Sequence, residues 1–487
     1  MKYLLPRFRD IFFLAVFCSA LLLGPQMLSI DSDLGRHLVI GGYILEQHEI
    51  PTTDIFSHTK NGEPRPPYEW LSQIFFASAH RILGLDGAVL LTSLVIASAF
   101  TLMYAESTRR SELPVTAILL AILAAAAGSV HWLPRPHVFT FLLLAVWLER
   151  LERLRNAEKI PLWQFPLIML LWANLHGGFL FGLLAWMAYF AGWVLDNWLK
   201  RDSATAEVGK KLLVVGVLSL VASCITPDGW GNWQAMLGNS SFYILSQTIE
   251  TMSPNFHQSG MIPILLLLIL SVLLPALDRF RLPASHIFLL AGFAILSLLM
   301  ARNIPLFAIC ATPILAACTR RILDQAKGWK KIESRLGEIE SSLRGFVWPA
   351  VGVFAAILLF SYYSMRTQLS INQFDERVFP VAAVNWLAEH PQSGNMFNEF
   401  NWGGYLLHRL WPGQNVFIDS QTDFYGEALA RDYNQIINAQ SDWETKLKKY
   451  DVDWVIVASD TPLAEALETE SHWRVLYQDN TAVILRK

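Results

Sequence analysis

The chain has 487 residues, of which 53% are hydrophobic and only 16% charged, with a formal net charge of −3. An ordinary soluble domain carries nearer a quarter charged residues, so the composition excludes a wholly soluble protein. Without a basic face, it also speaks against a nucleic-acid partner. The shortage of charge is uneven. Residues 8–366 read as apolar runs with short polar breaks, and residues 367–487 read as an ordinary soluble sequence. The expected architecture is therefore a polytopic α-helical membrane domain over 1–366, with a long first outer loop at 31–84, followed by a small α/β domain over 367–487. Cys18, Cys224, Cys310 and Cys318 all fall in apolar runs without metal-type spacing and are expected to be small buried hydrophobes.

Lys2, Arg7 and Arg9 precede the apolar run Ile11 to Leu23, which is also how a secretory signal begins. The run continues through Pro25 to Ile30 with no small-x-small cleavage site, so a retained first helix is expected. A helix needs about 20 apolar residues to cross the hydrocarbon core. Eleven runs are candidates: 11–30, 85–105, 114–130, 137–149, 162–175, 177–195, 212–227, 261–277, 284–300, 303–318 and 347–364. Lys and Arg favour the cytoplasmic loops. With the N-terminus inside, the inner segments hold Arg7 and Arg9, Arg109 and Arg110, Arg150 to Lys159, Lys200 to Lys211, Arg279 and Arg281, and the stretch Arg320 to Arg344. The odd count of spans places the C-terminal domain outside. The stretch 320–344 is expected to be a solvated helix on the inner side.

Acids, histidines and arginines gather at the outer helix ends. The first outer loop begins Asp31-Ser32-Asp33-Leu34-Gly35-Arg36-His37-Leu38, and Leu34, Leu38, Gly41, Ile44 and Leu45 repeat at helical spacing. A short helix over 33–47 lying along the membrane surface is expected. Ile50-Pro51-Thr52-Thr53-Asp54-Ile55-Phe56-Ser57 then breaks the chain into an extended loop, and helical spacing resumes with Tyr68-Glu69-Trp70-Leu71. Asp31 or Asp33 suits a helix N-cap. Asp54 suits an Asx-turn before Ser57. Glu69 suits the first turn of a helix. Asp33 and His37 share one helix face, a spacing that can also hold a divalent cation. Elsewhere, Trp132-Leu133-Pro134-Arg135-Pro136-His137 sets a cation rigidly at a helix end, and Asn174-Leu175-His176-Gly177-Gly178 puts His176 at a tight turn. Ala301-Arg302-Asn303-Ile304-Pro305 places Arg302 in the same manner. Each suits an interfacial anchor; together they make a cationic rim for an anion.

These residues resemble the bacterial GT-C-type membrane glycosyltransferases, the superfamily of protein mannosyltransferases and aminoarabinose transferases. The pattern runs Asp31, Asp33, His37, Leu38, Gly41; then Ile50, Pro51, Asp54, Phe56, Ser57; then Glu69, Trp70, Leu71. It continues in the tail as Asn401-Trp402-Gly403-Gly404-Tyr405-Leu406 and Val416-Phe417-Ile418-Asp419-Ser420-Gln421-Thr422-Asp423. Gly35-Arg36 departs from it, where aromatic residues are expected. The resemblance implies a polyprenyl-phosphate-linked sugar donor, an envelope acceptor and an outward-facing active site in the plasma membrane. It implies Asp33 as the base that takes the acceptor's proton, with Asp31 the alternative and Glu69 or Asp54 orienting the acceptor or a metal. Arg302 and Arg135 would meet the leaving phosphate, helped by His37, His137 and His176.

In the tail, strands are expected at 395–400, 415–419, 453–459, 474–478 and 482–486, alternating with helices into a small layer that ends in a hairpin at Asp479-Asn480. Asp419 and Asp423 at a strand end suit turn caps or the binding of a ligand. A transporter would show inverted repeats and broken helices at mid-membrane; no internal repeat is legible. A non-enzymatic scaffold for envelope assembly is the third reading.

Overall fold

The computed structural model describes residues 4–30, 32–199, 206–238, 241, 243, 246, 249–278, 281–323, 327–345 and 347–487. Asp31, Lys200 and Arg279 lie outside the described residues. In chain order the first helices are α1 (Phe8–Leu22), α2 (Gly24–Ile30), α3 (Asp33–Gln47), α4 (Trp70–Ser111) and α5 (Pro114–Gly128). They are followed by α6 (His137–Arg155), α7 (Gln164–Leu175), α8 (Phe179–Trp198), α9 (Ala206–Ser223), α10 (Gly231–Gly238) and α11 (Ile262–Leu277). Then come α12 (Ala284–Leu299), α13 (Ile304–Leu323), α14 (Lys327–Ser342) and α15 (Val347–Thr367). The tail holds α16 (Val381–Glu389), α17 (Gly403–Leu410), α18 (Thr422–Ile437), α19 (Trp443–Lys449) and α20 (Pro462–Thr469), with β1 (Asn395–Asn398), β2 (Val452–Ala458), β3 (Arg474–Gln478) and β4 (Ala482–Arg486).

The chain forms two compact units. One joins Met1–Leu22, Leu90–Thr226 and Thr248–Tyr362; the other joins Leu23–Val89, Pro227–Gln247 and Tyr363–Lys487. The loop after the first apolar run thus belongs to the same unit as the C-terminal residues.

In the first unit, six helical stretches of the chain's described residues are long and apolar enough to cross a membrane: Trp70–Ser111 (shared with the second unit), Pro114–His131, Phe179–Trp198, Ser259–Leu277, Ala301–Leu323 and Val347–Thr367. The first apolar run, broken at Leu23, makes a seventh if its two helices count together. The other expected spans fall on helices too short or too charged to pass by length and hydropathy. The inner face of α5 is built from Ala117, Ala121, Ala124 and Gly128, small residues that let neighbouring helices approach closely. Cys310 and Cys318 are buried as expected, whereas Cys18 is exposed on α1 and Cys224 is half-exposed in the turn after α9.

Several buried charges in this unit are paired. Glu152 on α6 accepts the Tyr189 hydroxyl at 2.7 Å and faces His286 Nε2 at 2.8 Å and Arg155 at 3.1 Å. Arg110 is 3.4 Å from Glu152 and 2.6 Å from Glu106. This knot ties the ends of α4, α6, α8 and α12 together; sequence reading passed over Glu106, Glu152, Tyr189 and His286. The stretch 320–344 is also more than a solvated helix. Glu333 on α14 is buried against the start of α5, and Glu340 accepts from Phe8 N at 2.8 Å.

In the second unit, β2 is the centre of a four-stranded sheet of order β1-β2-β4-β3. β1 and β2 are parallel, and β4 pairs antiparallel with β2 and with β3 across the Asp479 turn. Val455 and Val457 on β2, with Val483 and Leu485 on β4, pack with Tyr425, Leu429 and Tyr433 of α18. Fully burying each such aliphatic side chain stabilises by roughly 1.5–3 kcal/mol. The expected strand 415–419 does not join the sheet. Its backbone instead pairs with the first outer loop: Val416 N donates to Phe56 O at 3.2 Å and His58 N donates to Val416 O at 3.0 Å. The sheet side of this segment is held by the Asn398 side chain, which accepts from Phe417 N at 2.8 Å and donates to Ile418 O at 2.9 Å.

The expected surface helix 33–47 is present as α3, but it is enclosed. Asp33 to Leu38, Ile40, Gly41 and Ile44 are all buried within the unit. Two close approaches explain this. A Cβ on Gly35 would stand 2.2 Å from Gly404 O, and one on Gly41 would stand 2.0 Å from Gln73 O. Gly35 therefore replaces the expected aromatic residue because the backbone of α17 occupies that space.

His408 on α17 lies beside His80, ring centroids 5.2 Å apart. Burial, helped by His80 and Arg409, pushes its pKa down from 6.5 to about 4. A depressed histidine pKa means the unfolded chain binds more protons between those values, so stability is present above pH 6.5 and is lost as pH falls towards 4. The loss should reach roughly 3 kcal/mol at the low end. His408→Leu should flatten that part of the profile, read as thermal midpoints of the detergent-solubilised protein between pH 7.5 and pH 4.

Candidate active site

Gly41 and Gln73 bring α3 against the start of α4 within the second unit. Gly41 lies one helical turn beyond His37, and Gln73 one turn beyond Glu69. The crossing sets His37 Nδ1 3.9 Å from Glu69 Oε2 and 3.4 Å from Gln73 Nε2. His37 is 1% exposed. Asp33, at the start of α3, faces elsewhere: its Oδ1 accepts from the Ser420 hydroxyl and lies 3.4 Å from Arg36 Nη2. Arg36 continues the link, donating to Gln421 Oε1 at 2.9 Å and lying 3.9 Å from Asp419.

A second guanidinium crosses the same loop. Arg65 donates to Asp54 Oδ1 and to Gln421 Oε1, and lies 3.6 Å from Asp419 Oδ2. Asp54 Oδ2 accepts from Ser57 N at 3.0 Å and from Ser57 Oγ at 2.6 Å, the turn its spacing suggested. The Asp54 carboxylate is thus spent on holding the loop. Tyr68 donates to Asp423 at 2.9 Å and receives Gln421 Nε2 at 2.9 Å.

Burial works to lower the pKa of Arg36, but Asp33, Asp419 and Glu69 outweigh it and raise it. Arg65 is raised in the same way by Asp419 and Asp54. Both stay cationic at any physiological pH. Burial, with Asp423 and Glu69, pushes the Tyr68 phenol well up, so it remains a neutral donor.

Between α3 and the loop lies a small cleft lined by Arg36, Tyr68, Glu69, Gln73 and Gln421, with Ile40, Ile44 and Pro51 as its apolar wall. Glu69 is the carboxylate that lines it. Asp33 stands behind Arg36. A guanidinium lies beside Asp33, and no group of three metal-type side chains occurs among the described residues.

The residues of the expected rim lie within the first unit. His137 Nε2 is 3.1 Å from His131 O, and the two rings stack at 4.3 Å. Arg135 Nη1 meets both oxygens of Glu250 at 3.1 Å, so its charge is shared with an acid that sequence reading missed. The Glu250 segment is tied to Arg302 through backbone, Ala301 N donating to Met252 O at 2.9 Å. Arg302 itself is exposed, with no carboxylate paired to it among the described residues. At His176, Trp172 Nε1 donates to Thr140 Oγ1 at 2.9 Å, so the Thr140 hydroxyl proton points on to His176 Nδ1, 2.9 Å away. Gly178 N also donates to Nδ1, at 3.0 Å. With Nδ1 accepting twice, the ring proton sits on Nε2.

Reading the sequence missed Gln73 and Gln421 at the cleft and left Asp419 and Asp423 between turn caps and ligand binding. The only signal for them was the resemblance of the 416–423 segment.

This arrangement sits in a known membrane fold. No family model and no curated protein sequence matches the chain. Solved structures do. The archaeal oligosaccharyltransferase AglB from Archaeoglobus fulgidus, in complex with an inhibitory peptide and a dolichol-phosphate, superposes with a TM-score of 0.62 at 12% identity, covering 93% of this chain and 70% of that one. The same enzyme tethered to an acceptor peptide containing an NVT sequon gives a TM-score of 0.56 at 12% identity, over 92% and 69%. Its complex with Zn and sulfate gives 0.55 at 11% identity, over 92% and 68%. The chain therefore shares the fold of these oligosaccharyltransferase structures.

The Arg65–Asp54 pair tests how the loop is held. Removing one partner of a buried pair leaves an uncompensated charge and costs about 3–5 kcal/mol. Asp54→Ala should lower the thermal midpoint sharply. Asp54→Asn, whose one carbonyl oxygen can still accept from Ser57 while its NH2 replaces the acceptor facing Arg65, should lower it less, because the turn survives.

Proposed function

We propose that the chain is a membrane glycosyltransferase that moves a sugar, hexosyl or pentosyl, from a polyprenyl-phosphate-linked donor to an envelope acceptor, whether glycan, lipid or protein. The carrying observation is a GT-C membrane fold in which the acidic loop after the first apolar run folds into a polar cleft. In this reading all eleven apolar runs cross the plasma membrane, the N-terminus is cytoplasmic and residues 367–487 lie outside it. The dolichol-phosphate and acceptor peptide bound by AglB support a lipid-linked donor and a separate acceptor.

The reaction forms a bond from an acceptor hydroxyl or amine to the anomeric carbon and breaks the bond from that carbon to the phosphate. A carboxylate takes the acceptor's proton. Asp33 is assigned that role, with Asp31 the alternative. Glu69 lines the cleft and orients the acceptor, backed by His37. Asp54 holds the loop. Charge grows on the leaving phosphate, so a preorganised cation there lowers the barrier. Arg302 is the cation free to meet it. His176 offers Nε2–H, and His137 and Arg135 complete the rim. No step is routed through a metal.

The test is mass spectrometry of envelope glycans, lipids and proteins from a deletion strain complemented with variants. One sugar-bearing species should disappear in the deletion strain; unchanged profiles would sink the proposal. Asp33→Asn should lose about 10²–10⁴-fold in transfer rate at normal protein level. Glu69→Gln should mainly raise the acceptor KM. The opposite pattern would move the base to Glu69.

Arg302→Ala should weaken donor use far more than Arg302→Lys, since only the alanine removes all charge facing phosphate. Equal rates in initial-velocity assays of the wild type and both variants would leave Arg302 as an interface anchor.

A further inference from the structure

α14 joins two helices that are each long and apolar enough to cross a membrane, Ala301–Leu323 and Val347–Thr367. Its own sequence is two-faced. Trp329, Ile332, Leu336 and Ile339 recur at helical spacing and form one stripe. That stripe is not packed inward: Ile332 is 51% exposed, Ile339 55% and Trp329 37%.

The edge of the stripe is docked. Glu333 accepts from Val115 N at 2.9 Å, Thr116 N at 2.8 Å and Thr116 Oγ1 at 2.6 Å. Two turns on, Glu340 accepts from Phe8 N at 2.8 Å. Trp329 Nε1 donates to Thr116 Oγ1 at 3.2 Å, and Trp348, just beyond the helix, donates to Leu4 O at 2.6 Å. α14 is therefore fixed across the first turns of α1 and α5. The starts of spanning helices mark the depth at which hydrocarbon gives way to headgroups.

Docking also changes the helix's charge. Free backbone N–H groups at a helix start carry partial positive charge and neutralise a bound carboxylate. With Glu333 and Glu340 so engaged, Glu338 is the one acid on α14 still facing outward among the described residues. Against it stand Lys330, Lys331 and Arg335, with Arg344 just after the helix, all exposed. An exposed apolar stripe bordered by cations, held at headgroup depth, matches a surface that is apolar beneath and anionic above.

We propose that α14 is an in-plane interfacial helix that seats Trp329, Ile332 and Ile339 among the lipid chains and binds anionic phospholipid headgroups through Lys331, Arg335 and Arg344. The occupant is the leaflet at which α1 begins. Neither a solvated helix nor a protein-docking face needs that combination of depth and charge.

Two measurements on the full-length protein test this. In the first, the protein is extracted in mild detergent and its co-purifying phospholipid is quantified by mass spectrometry. The ratio of anionic to zwitterionic lipid should exceed that of the source membrane by about threefold or more. Lys331→Gln/Arg335→Gln/Arg344→Gln should return it to the membrane value, while Lys331→Arg/Arg335→Lys should keep the enrichment. A ratio that ignores the charge loss, or that falls equally in the charge-keeping variant, overturns the proposal. In the second, an environment-sensitive dye is placed at Ile339→Cys in a Cys18→Ala/Cys224→Ala background and the protein is put in nanodiscs. Emission should be blue-shifted and quenched by lipids brominated near the headgroup. Water-like, unquenched emission overturns it.

Discussion

The site depends on how closely α3 can approach its neighbours. Gly35 meets the backbone at Gly404 and Gly41 meets the backbone at Gln73, and in both places a single methyl group would collide with a carbonyl oxygen. These contacts fix the helix that carries Asp33, Arg36 and His37 without using any of their side chains. The acid, the guanidinium and the imidazole are then free to serve polar partners: Ser420 and Gln421 on one side, Glu69 and Gln73 on the other. A helix lying loosely on a membrane would not hold them to such geometry.

Burying those charges is costly, and the loop resolves the cost by alternation. Two guanidiniums, Arg36 and Arg65, are interleaved with Asp33, Asp54 and Asp419, and the Gln421 carbonyl accepts from both. Breaking a buried pair leaves an uncompensated charge, so the set stands or falls together. Such a network resists rearrangement, which suits a site whose task is to present a few polar groups to a small cleft.

The same economy governs the helix starts. A buried helix N-terminus leaves backbone N–H groups without partners. Here distant carboxylates supply them. Glu333 and Glu340 serve α5 and α1, and Asp196 accepts from Ala284 N at 2.9 Å at the start of α12. Acids that look like ordinary solvated residues in the sequence are staples between segments far apart in the chain.

The sequence by itself determined the apolar helices, the mixed soluble tail, the hairpin at Asp479, the helix at 33–47 and the turn at Asp54. All of these follow from local periodicity, turn chemistry and composition, which act over a few residues. The resemblance carried by the motif at 31–71 also pointed to the membrane fold that the solved structures share. Tertiary structure alone decided what each polar group faces. It took the 415–419 segment out of the sheet and laid it against the first loop, because Asn398 and the backbone at Phe56 and His58 offered it hydrogen bonds that no local pattern announces. It gave Arg135 to Glu250 and left Arg302 open, turned Asp33 towards Ser420, and made Glu69 the acid at the cleft. A carboxylate or guanidinium is set by partners hundreds of residues away, and long-range pairing leaves no periodic trace in the chain.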